Sequence, residues 1–323
     1  MSLKKMTNSK GILWLLLSFT VLPLLPHSVA EGQAVEGARQ TAASFPIERV
    51  QTPTEADVAC AGFIEKQPLP RAQFVAAGLT TPNTTKFGTG ELVYLAGTGY
   101  QLGQTYTILR ELRNPNPGEL FAGQSKLLRA TGQPYAELAR VRIVDIRHKL
   151  AIAEVEFSCD PVVPGDLVRP YSKQSAVAFH PPITFDRFVP LGTGKAGTIL
   201  MAKDYDYELG TGATVYVNLG TGDGLKPGDY LRTYRTYSAD RKDAVDSLSF
   251  QAARSEDTQR YPASMDPSVL TRSKGPVVHI ADLPTRGVGE IVVLKAGESS
   301  ATGMIVFALE DVHVGDSVML DRR

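Results

Sequence analysis

This sequence is poor in cysteine and histidine, and neither sign of charge is in excess. It contains two cysteines and five histidines, and its 34 basic residues balance 34 acidic ones. A balanced charge creates no field that would attract nucleic acid or an anionic membrane surface, so neither partner is predicted. After residue 30 no histidine lies three to five residues from another histidine or from a cysteine, which is the spacing of zinc ligands. No metal or other cofactor is therefore predicted.

Motifs for nucleotide binding and nucleophilic catalysis are also missing. Glycine-threonine-glycine triplets recur, but residues 220–225 do not have the spacing of a dinucleotide fingerprint, and Pro227 and Gly228 prevent a helix from following. Beyond residue 30 there is no Gly-x-Ser-x-Gly, Ser-x-x-Lys or His-Glu-x-x-His motif. We therefore predict that the protein is not an enzyme. A pair of distant carboxylates leaves little local trace, so an envelope hydrolase stays an alternative.

The long hydrophobic run is confined to the N-terminus. Three lysines precede apolar residues 12–25, and Ser28 and Ala30 occupy the −3 and −1 positions of a cleavage site. The run is shorter than the ~20 residues of a membrane-spanning helix, so residues 1–30 are predicted to be a secretory signal peptide, with an uncleaved anchor as the alternative. This predicts a periplasmic or extracellular protein with no transmembrane segment after cleavage. Residues 31–57 are polar and aperiodic, which predicts a flexible leader.

The two cysteines, Cys60 and Cys159, both lie in the mature chain. An isolated pair in an oxidising compartment is more often bridged than free, so we predict a disulfide between them. Two buried free thiols are the alternative.

The chain repeats itself. Residues 88–94, Gly-Thr-Gly-Glu-Leu-Val-Tyr, return as residues 210–216, Gly-Thr-Gly-Ala-Thr-Val-Tyr. Residues 139–170 align without a gap on residues 289–320, and the apolar positions of the two segments coincide. Each copy also has a glycine turn followed by a run that ends in arginine. Two copies are too few for a solenoid, so the pattern predicts the duplication of a globular module.

Equivalent turns are predicted in the two modules at repeated glycines and aspartates. These are Gly103, Gly165 and Asp166 in the first copy and Gly228, Asp229, Gly315 and Asp316 in the second. Charged and apolar residues alternate in several short segments, which indicates antiparallel strands with one solvent-facing side. Residues 290–294 and 304–307 are more continuously apolar, as in strands covered on both faces. Glycine-rich corners without intervening helices favour an all-β or mainly β fold of two small barrels or sandwiches.

The repeat also predicts the domain boundaries. The first β-module spans residues 58–171, and residues 172–190 form an extended linker. The second β-module spans residues 191–321 and contains a long polar insertion at 238–275 that the first module lacks. A long loop of this kind is either functional or disordered.

Four segments carry a resemblance to a known family: residues 215–220, 224–229, 289–291 and 314–316. They resemble β-modules of bacterial envelope proteins that often occur beside LysM repeats, and are similar to the C-terminal domain of the flagellar assembly protein T family. The segments around Cys60 and Cys159 also look like the paired cysteine segments of those proteins. The resemblance covers roughly residues 58–321 and implies the fold and the envelope compartment. No LysM repeat is present, so direct peptidoglycan binding is not carried over.

Two binding functions follow from these features. The first is a non-enzymatic exported envelope protein that acts as a structural or docking module for other envelope proteins. The alternative is a protein that binds peptidoglycan or another polysaccharide, with tyrosines stacked on sugar faces. The candidate tyrosines are Tyr94, Tyr100, Tyr106, Tyr205, Tyr207 and Tyr216. Packing in the core and across strands is the competing role for these side chains.

Overall fold

A computed structural model describes most of the chain between residues 50 and 321. The described residues are 50–113, 115, 118–174, 177, 179, 185–188, 194–235 and 284–321, with the backbone of 44–45. The predicted signal peptide, most of the predicted leader, parts of the linker and the insertion at 238–275 lie outside the described residues. The described residues belong to one compact unit, Gln40–Arg323.

Strands dominate the described chain. The first half contains β1 (Ser44–Phe45), α1 (Glu55–Ala59), β2 (Phe63–Glu65), β3 (Phe74–Gly78), β4 (Leu92–Ala96), β5 (Thr105–Glu111), α2 (Gln124–Thr131), β6 (Gln133–Arg147), β7 (Leu150–Ser158) and β8 (Leu167–Pro170). The second half contains β9 (Phe185–Asp186), β10 (Ala196–Ala202), β11 (Glu208–Leu209), β12 (Thr214–Val217), β13 (Tyr230–Arg235), β14 (Arg286–Ala296), β15 (Ala301–Ala308), β16 (Val312–His313) and β17 (Ser317–Asp321), with a 3-10 turn at Thr221–Asp223. Neither α-helix is long and apolar enough to cross a membrane.

The strands close into two antiparallel barrels of six strands each. The first barrel has the order β3-β4-β7-β6-β5-β8 and closes through the pairing of β8 with β3. The short strand β2 pairs with the start of β6. The second barrel has the order β10-β12-β15-β14-β13-β17 and closes through β17 and β10. Taken in chain order, the strands of the two barrels correspond one to one. The prediction of a mainly β chain with two similar β-barrel modules is confirmed.

Alternation along the strands builds both barrel interiors. In β6, Val141 is fully buried in the first core while Arg142 points outward. In β14 the equivalent of Val141 is Ile291, which is fully buried in the second core. The residue after it, Val292, also points outward but is nevertheless buried, in a separate cluster on the outside of the second barrel. The continuously apolar strands of the second module are therefore covered on both faces, as the sequence predicts.

Two local elements differ from the sequence-based expectations. The expectation of strands without intervening helices misses α2, which lies in the connection between β5 and β6. The Gln124 side chain at its start donates a hydrogen bond from Nε2 to the Leu200 carbonyl of the second barrel at 2.8 Å. Leu127 and Leu128 pack with Leu200 in the same cluster. These contacts with the second barrel stabilise α2, which the local sequence does not predict.

The end of the predicted flexible leader is ordered. Thr54 and Asp57 form a capping box, in which the Asp57 amide donates to Thr54 Oγ1 at 3.1 Å and the Thr54 amide donates to Asp57 Oδ2 at 2.7 Å. The Gln51 amide donates to the Val306 carbonyl at 2.8 Å, and Val58 is buried against the second barrel. The polar composition of this segment does not predict its order, because the segment is held in place by an apolar surface on the second barrel.

The segment between α1 and β2 joins the two barrels. The Tyr216 hydroxyl donates to the Ala61 carbonyl at 3.2 Å, and Thr302 Oγ1 donates to the Gly62 carbonyl at 3.0 Å. The Gly62 amide in turn donates to the carboxylate of Glu137 in the first barrel at 3.2 Å. These contacts are buried and link residues of both barrels to one short stretch of chain, so the stretch fixes one barrel against the other.

Candidate functional site

Cys60 and Cys159 are joined by a disulfide, with their Cα atoms 5.8 Å apart, and the predicted bridge is confirmed. Cys60 directly follows α1, and Cys159 directly follows β7 of the first barrel. The neighbours of Cys60 in the chain, Val58 and Ala61, are buried in the cluster on the outside of the second barrel. The bridge therefore ties the first barrel to a segment that packs on the second.

The repeated glycines occupy equivalent turns. Gly103 has φ = 78° and its counterpart Gly228 has φ = 92°, while Gly165 has φ = 96° and its counterpart Gly315 has φ = 103°. These left-handed conformations strain residues that carry a Cβ atom, which explains why glycine occupies all four positions. In the turn of Gly228, Asp229 Oδ2 accepts a hydrogen bond from the Lys226 amide at 2.8 Å.

The repeated aspartates hold these turns to a neighbouring strand. Arg110 in β5 donates to both carboxylate oxygens of Asp166 at 2.8 Å, and Asp166 also accepts from the Val163 amide at 2.7 Å. In the second barrel Arg235 donates to Asp316 at 2.9 and 2.7 Å in the same arrangement. The hydrogen bonds to the aspartates raise the pKa of both guanidinium groups. Bidentate pairs with buried carboxylates give these residues a structural role in each module.

An outward-facing row of four residues crosses each barrel and provides the main contrast between them. Antiparallel pairing places the residues of a row side by side on one face. In the first barrel the row consists of Phe157, Arg140, Thr107 and Arg169, from β7, β6, β5 and β8. In the second barrel the equivalent row consists of Phe307, Glu290, Arg232 and Met319, from β15, β14, β13 and β17. We call these the first and second outer rows.

Strand β9 covers the second outer row. The Phe185 ring is fully buried and packs edge to face against the Phe307 ring, with the two ring centroids 5.0 Å apart. The Arg232 guanidinium lies over the Phe185 ring, 4.7 Å from its centroid. A Cβ atom at Gly287 would lie 2.7 Å from the ring, so glycine makes room for it. The Asp186 carbonyl of β9 accepts a hydrogen bond from Arg232 Nη1 at 3.2 Å. The chain itself supplies both an aromatic ring and an acceptor oxygen to this face.

The first outer row instead lines an open cleft of about 380 Å³ beside α1 and the start of the linker. Thr107 at its centre is only 9% exposed, and among the described residues its hydroxyl has no hydrogen-bond partner. Arg140 Nε is buried without a hydrogen bond and lies 3.5 Å from a carboxylate oxygen of Glu156. On the other side of Thr107, Arg169 Nη2 lies 3.7 Å from Glu137 Oε1, beyond hydrogen-bonding distance.

A buried ion pair borders the cleft and the joint between the barrels. Glu137 is 4% exposed and forms a short hydrogen bond with Lys295 of the second barrel, whose side chain is 12% exposed. Burial lowers the pKa of Lys295, and attraction to Glu137 opposes that shift. Because Glu137 is engaged with Lys295 and with the Gly62 amide, its charge is largely neutralised within the protein.

Aromatic residues that the sequence analysis did not single out border the same cleft. Tyr171 is 38% exposed, and the Arg140 guanidinium lies 5.6 Å from the centre of its ring. The half-buried Phe157 also lines the cleft. No local signal distinguishes these two residues, because their proximity depends on strand register and on the return of the linker.

The six candidate tyrosines do not lie in this cleft. Tyr106 and Tyr216 are buried in the structure, and Tyr94, Tyr100 and Tyr205 are half-buried. Tyr207 is exposed and stacks on His313 with ring centroids 4.9 Å apart. Burial prevents Tyr106 and Tyr216 from stacking on a sugar, and it raises the pKa of Tyr216.

Among the described residues, no group of three or more His, Cys, Asp and Glu side chains is placed to hold a metal ion. His148 is exposed in the turn between β6 and β7, and His313 is the residue stacked on Tyr207. The other two histidines beyond the predicted signal peptide, His180 and His279, lie outside the described residues. Compared with known proteins, the chain matches no family model and no curated sequence.

Proposed function

We propose that this protein is exported to the cell envelope and acts there as a non-enzymatic docking module. The observation that carries the proposal is the difference between the two outer rows. The second row is filled by the chain's own β9, whereas the first is an open cleft with Thr107 and two arginines facing it. A face that binds a segment within the chain on one barrel is suited to bind an external group on the other.

The joint between the barrels supports a docking role. Segment 50–65 is joined to the first barrel by the disulfide. On the second barrel, its Val58 side chain packs in an apolar cluster, and its backbone carbonyls accept hydrogen bonds from Tyr216 and Thr302. Docking to a preorganised surface loses less conformational entropy than docking to a mobile one. The rigid joint therefore favours a scaffold over a flexible tether.

The chemistry of the charged groups supports a non-catalytic role. Asp166 and Asp316 are committed to bidentate pairs with arginines, and both cysteines are committed to the disulfide. Glu137, the buried carboxylate of the cleft, is paired with Lys295. A general acid or base must be free to exchange a proton with a substrate, and these groups serve structural contacts instead.

Export is supported by the N-terminal pattern of residues 1–30 together with the disulfide, which is a feature of oxidising compartments. N-terminal sequencing of protein from a cell fraction tests it, with a mature chain expected to begin near Glu31. An intact Met1 in a cytoplasmic fraction would exclude the envelope location.

Cell-wall glycan is the second candidate partner. The aromatic residues at the cleft, Tyr171 and Phe157, favour it because rings of this kind stack on sugar faces. Co-sedimentation with purified cell-wall material distinguishes it from a purely protein partner, since only a glycan binder is carried down with protein-free walls.

Photo-crosslinking in cells tests docking at the cleft. A photoreactive amino acid replaces Lys173, which is exposed at the cleft, and in a matched variant replaces Arg147, which is exposed at the end of β6. We expect a discrete adduct with an envelope component from position 173 and none of the same mass from position 147. Equal labelling from both positions, or no adduct from position 173, would contradict the proposal.

A further inference from the structure

We propose that the first outer row binds an oxyanion carried by a sugar ring, either a carboxylate or a phosphate. The anion would lie over Thr107 between Arg140 and Arg169, and its ring would stack on Tyr171. This site belongs to the proposed docking function, on which the proposal rests. It identifies the ligand class as an acidic saccharide.

The register fixes the geometry of the anion site. Thr107 pairs directly with Arg140 on one neighbouring strand and with Arg169 on the other. Adjacent strands lie about 4.8 Å apart, so the two arginine backbones are separated by roughly 10 Å. The Arg169 guanidinium lies over the Phe63 ring, 4.3 Å from its centroid, so this arginine is held at the edge of the cleft. We infer that the two long arginine side chains, on either side of a short hydroxyl, donate to one small anion bound over Thr107.

Unused donors point to an oxygen-rich ligand. Arg140 Nε is buried without a hydrogen bond, and Thr107, a residue only 9% exposed, has no hydrogen-bond partner for its hydroxyl among the described residues. Leaving buried donors unsatisfied is costly, and native proteins rarely do so. A carboxylate or phosphate accepts several hydrogen bonds at once, so a single anion satisfies both donors together with the Arg169 guanidinium.

The carboxylates at the cleft leave room for an external anion. Glu137 is paired with Lys295, and Glu156 accepts a 2.8 Å hydrogen bond from Arg142 Nε outside the cleft. Glu55 lines the cleft as an exposed residue of α1, where solvent and salt screen its charge. Repulsion from the protein's own acidic groups is therefore small over Thr107, between the two outer-row arginines.

The second barrel shows the same position engaged with an oxygen acceptor. Arg232 occupies the place of Thr107 and donates to the Asp186 carbonyl of β9, while its other terminal nitrogen lies 3.2 Å from Asp321. An aromatic ring, Phe185, accompanies that carbonyl on the same face. An acidic sugar would bring the same combination, an acceptor oxygen and a ring, to the first outer row.

The experiment measures binding to the mature, disulfide-bonded protein by calorimetry at low and moderate salt. The probes are tri-galacturonate, glucose 6-phosphate, glucose and inorganic phosphate. We expect the two acidic saccharides to bind, with inorganic phosphate weaker and glucose without measurable affinity. No binding of either acidic saccharide would overturn the proposal, and inorganic phosphate binding as tightly as glucose 6-phosphate would overturn the ring contact.

Three variants locate the site. Thr107→Val and Arg140→Gln should each weaken acidic-saccharide binding by roughly tenfold, because each removes a donor to the anion. Arg147→Gln is the matched control, because Arg147 lies on the same strand but is exposed and pairs with Asp145, and it should change affinity by less than about twofold. An equal loss in all three would indicate nonspecific attraction and overturn the site.

Thr107→Val keeps the test decisive if Arg140→Gln does not fold, because it replaces a hydroxyl that has no partner among the described residues by a methyl group of similar size. The two proposals also fail separately. If the saccharides do not bind but position 173 still crosslinks an envelope protein, the saccharide site is wrong and docking stands. If the saccharides bind and Thr107→Val has no effect, binding occurs elsewhere and this site is wrong.

Discussion

The outer faces of the two barrels differ far more than their interiors. At equivalent positions the first barrel has Arg142, Glu154 and Glu156, where the second has Val292, Met304 and Val306. The charged residues form a ladder of ion pairs at the surface, whereas the apolar ones are buried beneath the segment around α1. The same barrel topology therefore tolerates either charged or apolar residues on its outer face. The inward-facing residues form the barrel core, and the outward-facing residues determine what packs against the barrel.

The largest expected effect comes from making the second face resemble the first. Val292→Arg places a charge beneath the α1 segment, and we expect a loss of about 3–5 kcal/mol in the free energy of unfolding, because the charge has no partner there. The reciprocal change at the equivalent position, Arg142→Val, should alter stability by at most about 0.5 kcal/mol. Urea denaturation of both variants measures these free energies. Similar losses of stability in the two variants would contradict the prediction.

Removing the disulfide tests how the covering segment is held. Cys159→Ser should lower the free energy of unfolding by about 2–5 kcal/mol. Val58 and Ala61 pack on the outer face of the second barrel. Amide hydrogen exchange should therefore also accelerate in α1 and in the barrel strands β14 and β15. Exchange that accelerates in the first barrel alone would show that the bridge acts only within that module.

Filling the space under Phe185 tests why the second row is closed. Gly287→Ala places a methyl group against the ring, and we expect a loss of about 1–3 kcal/mol from overpacking. In the background of Phe185→Ala the same change should cost less, because the ring that it meets is gone. A thermal-denaturation double-mutant cycle measures this coupling, and strict additivity would contradict the contact.

The smallest expected effect is a similarity between the barrels. Asp166→Asn and Asp316→Asn each weaken a bidentate pair with a partly exposed arginine, and we expect losses of about 1 kcal/mol from each. The two losses should agree closely, because the two arginine–aspartate pairs have the same bidentate geometry and nearly the same distances. A clear difference measured by urea denaturation would show that the repeated turn has diverged in its role.

Patterns local in sequence predicted the features that depend on local physics. Gly165 and Gly315 lie at turns where φ is positive, and the alternation around Val141 and Ile291 indicated strands. The disulfide followed from compartment and count. The helix α2 and the ordering of residues 50–57 were not predicted, because each is held by an apolar surface on the second barrel that the local sequence does not contain.

The sequence by itself determined two β-modules, their turns and one bridge, because glycine conformation, strand alternation and cysteine pairing are properties of short segments. Only the tertiary structure decided which outer face is open. Arg140, Thr107 and Arg169 come from three different strands and become neighbours through register, and Phe185 covers the second barrel because Gly287 leaves room for its ring. Contacts of this kind depend on closure of the barrel, which brings residues distant in the chain to within one strand spacing of each other.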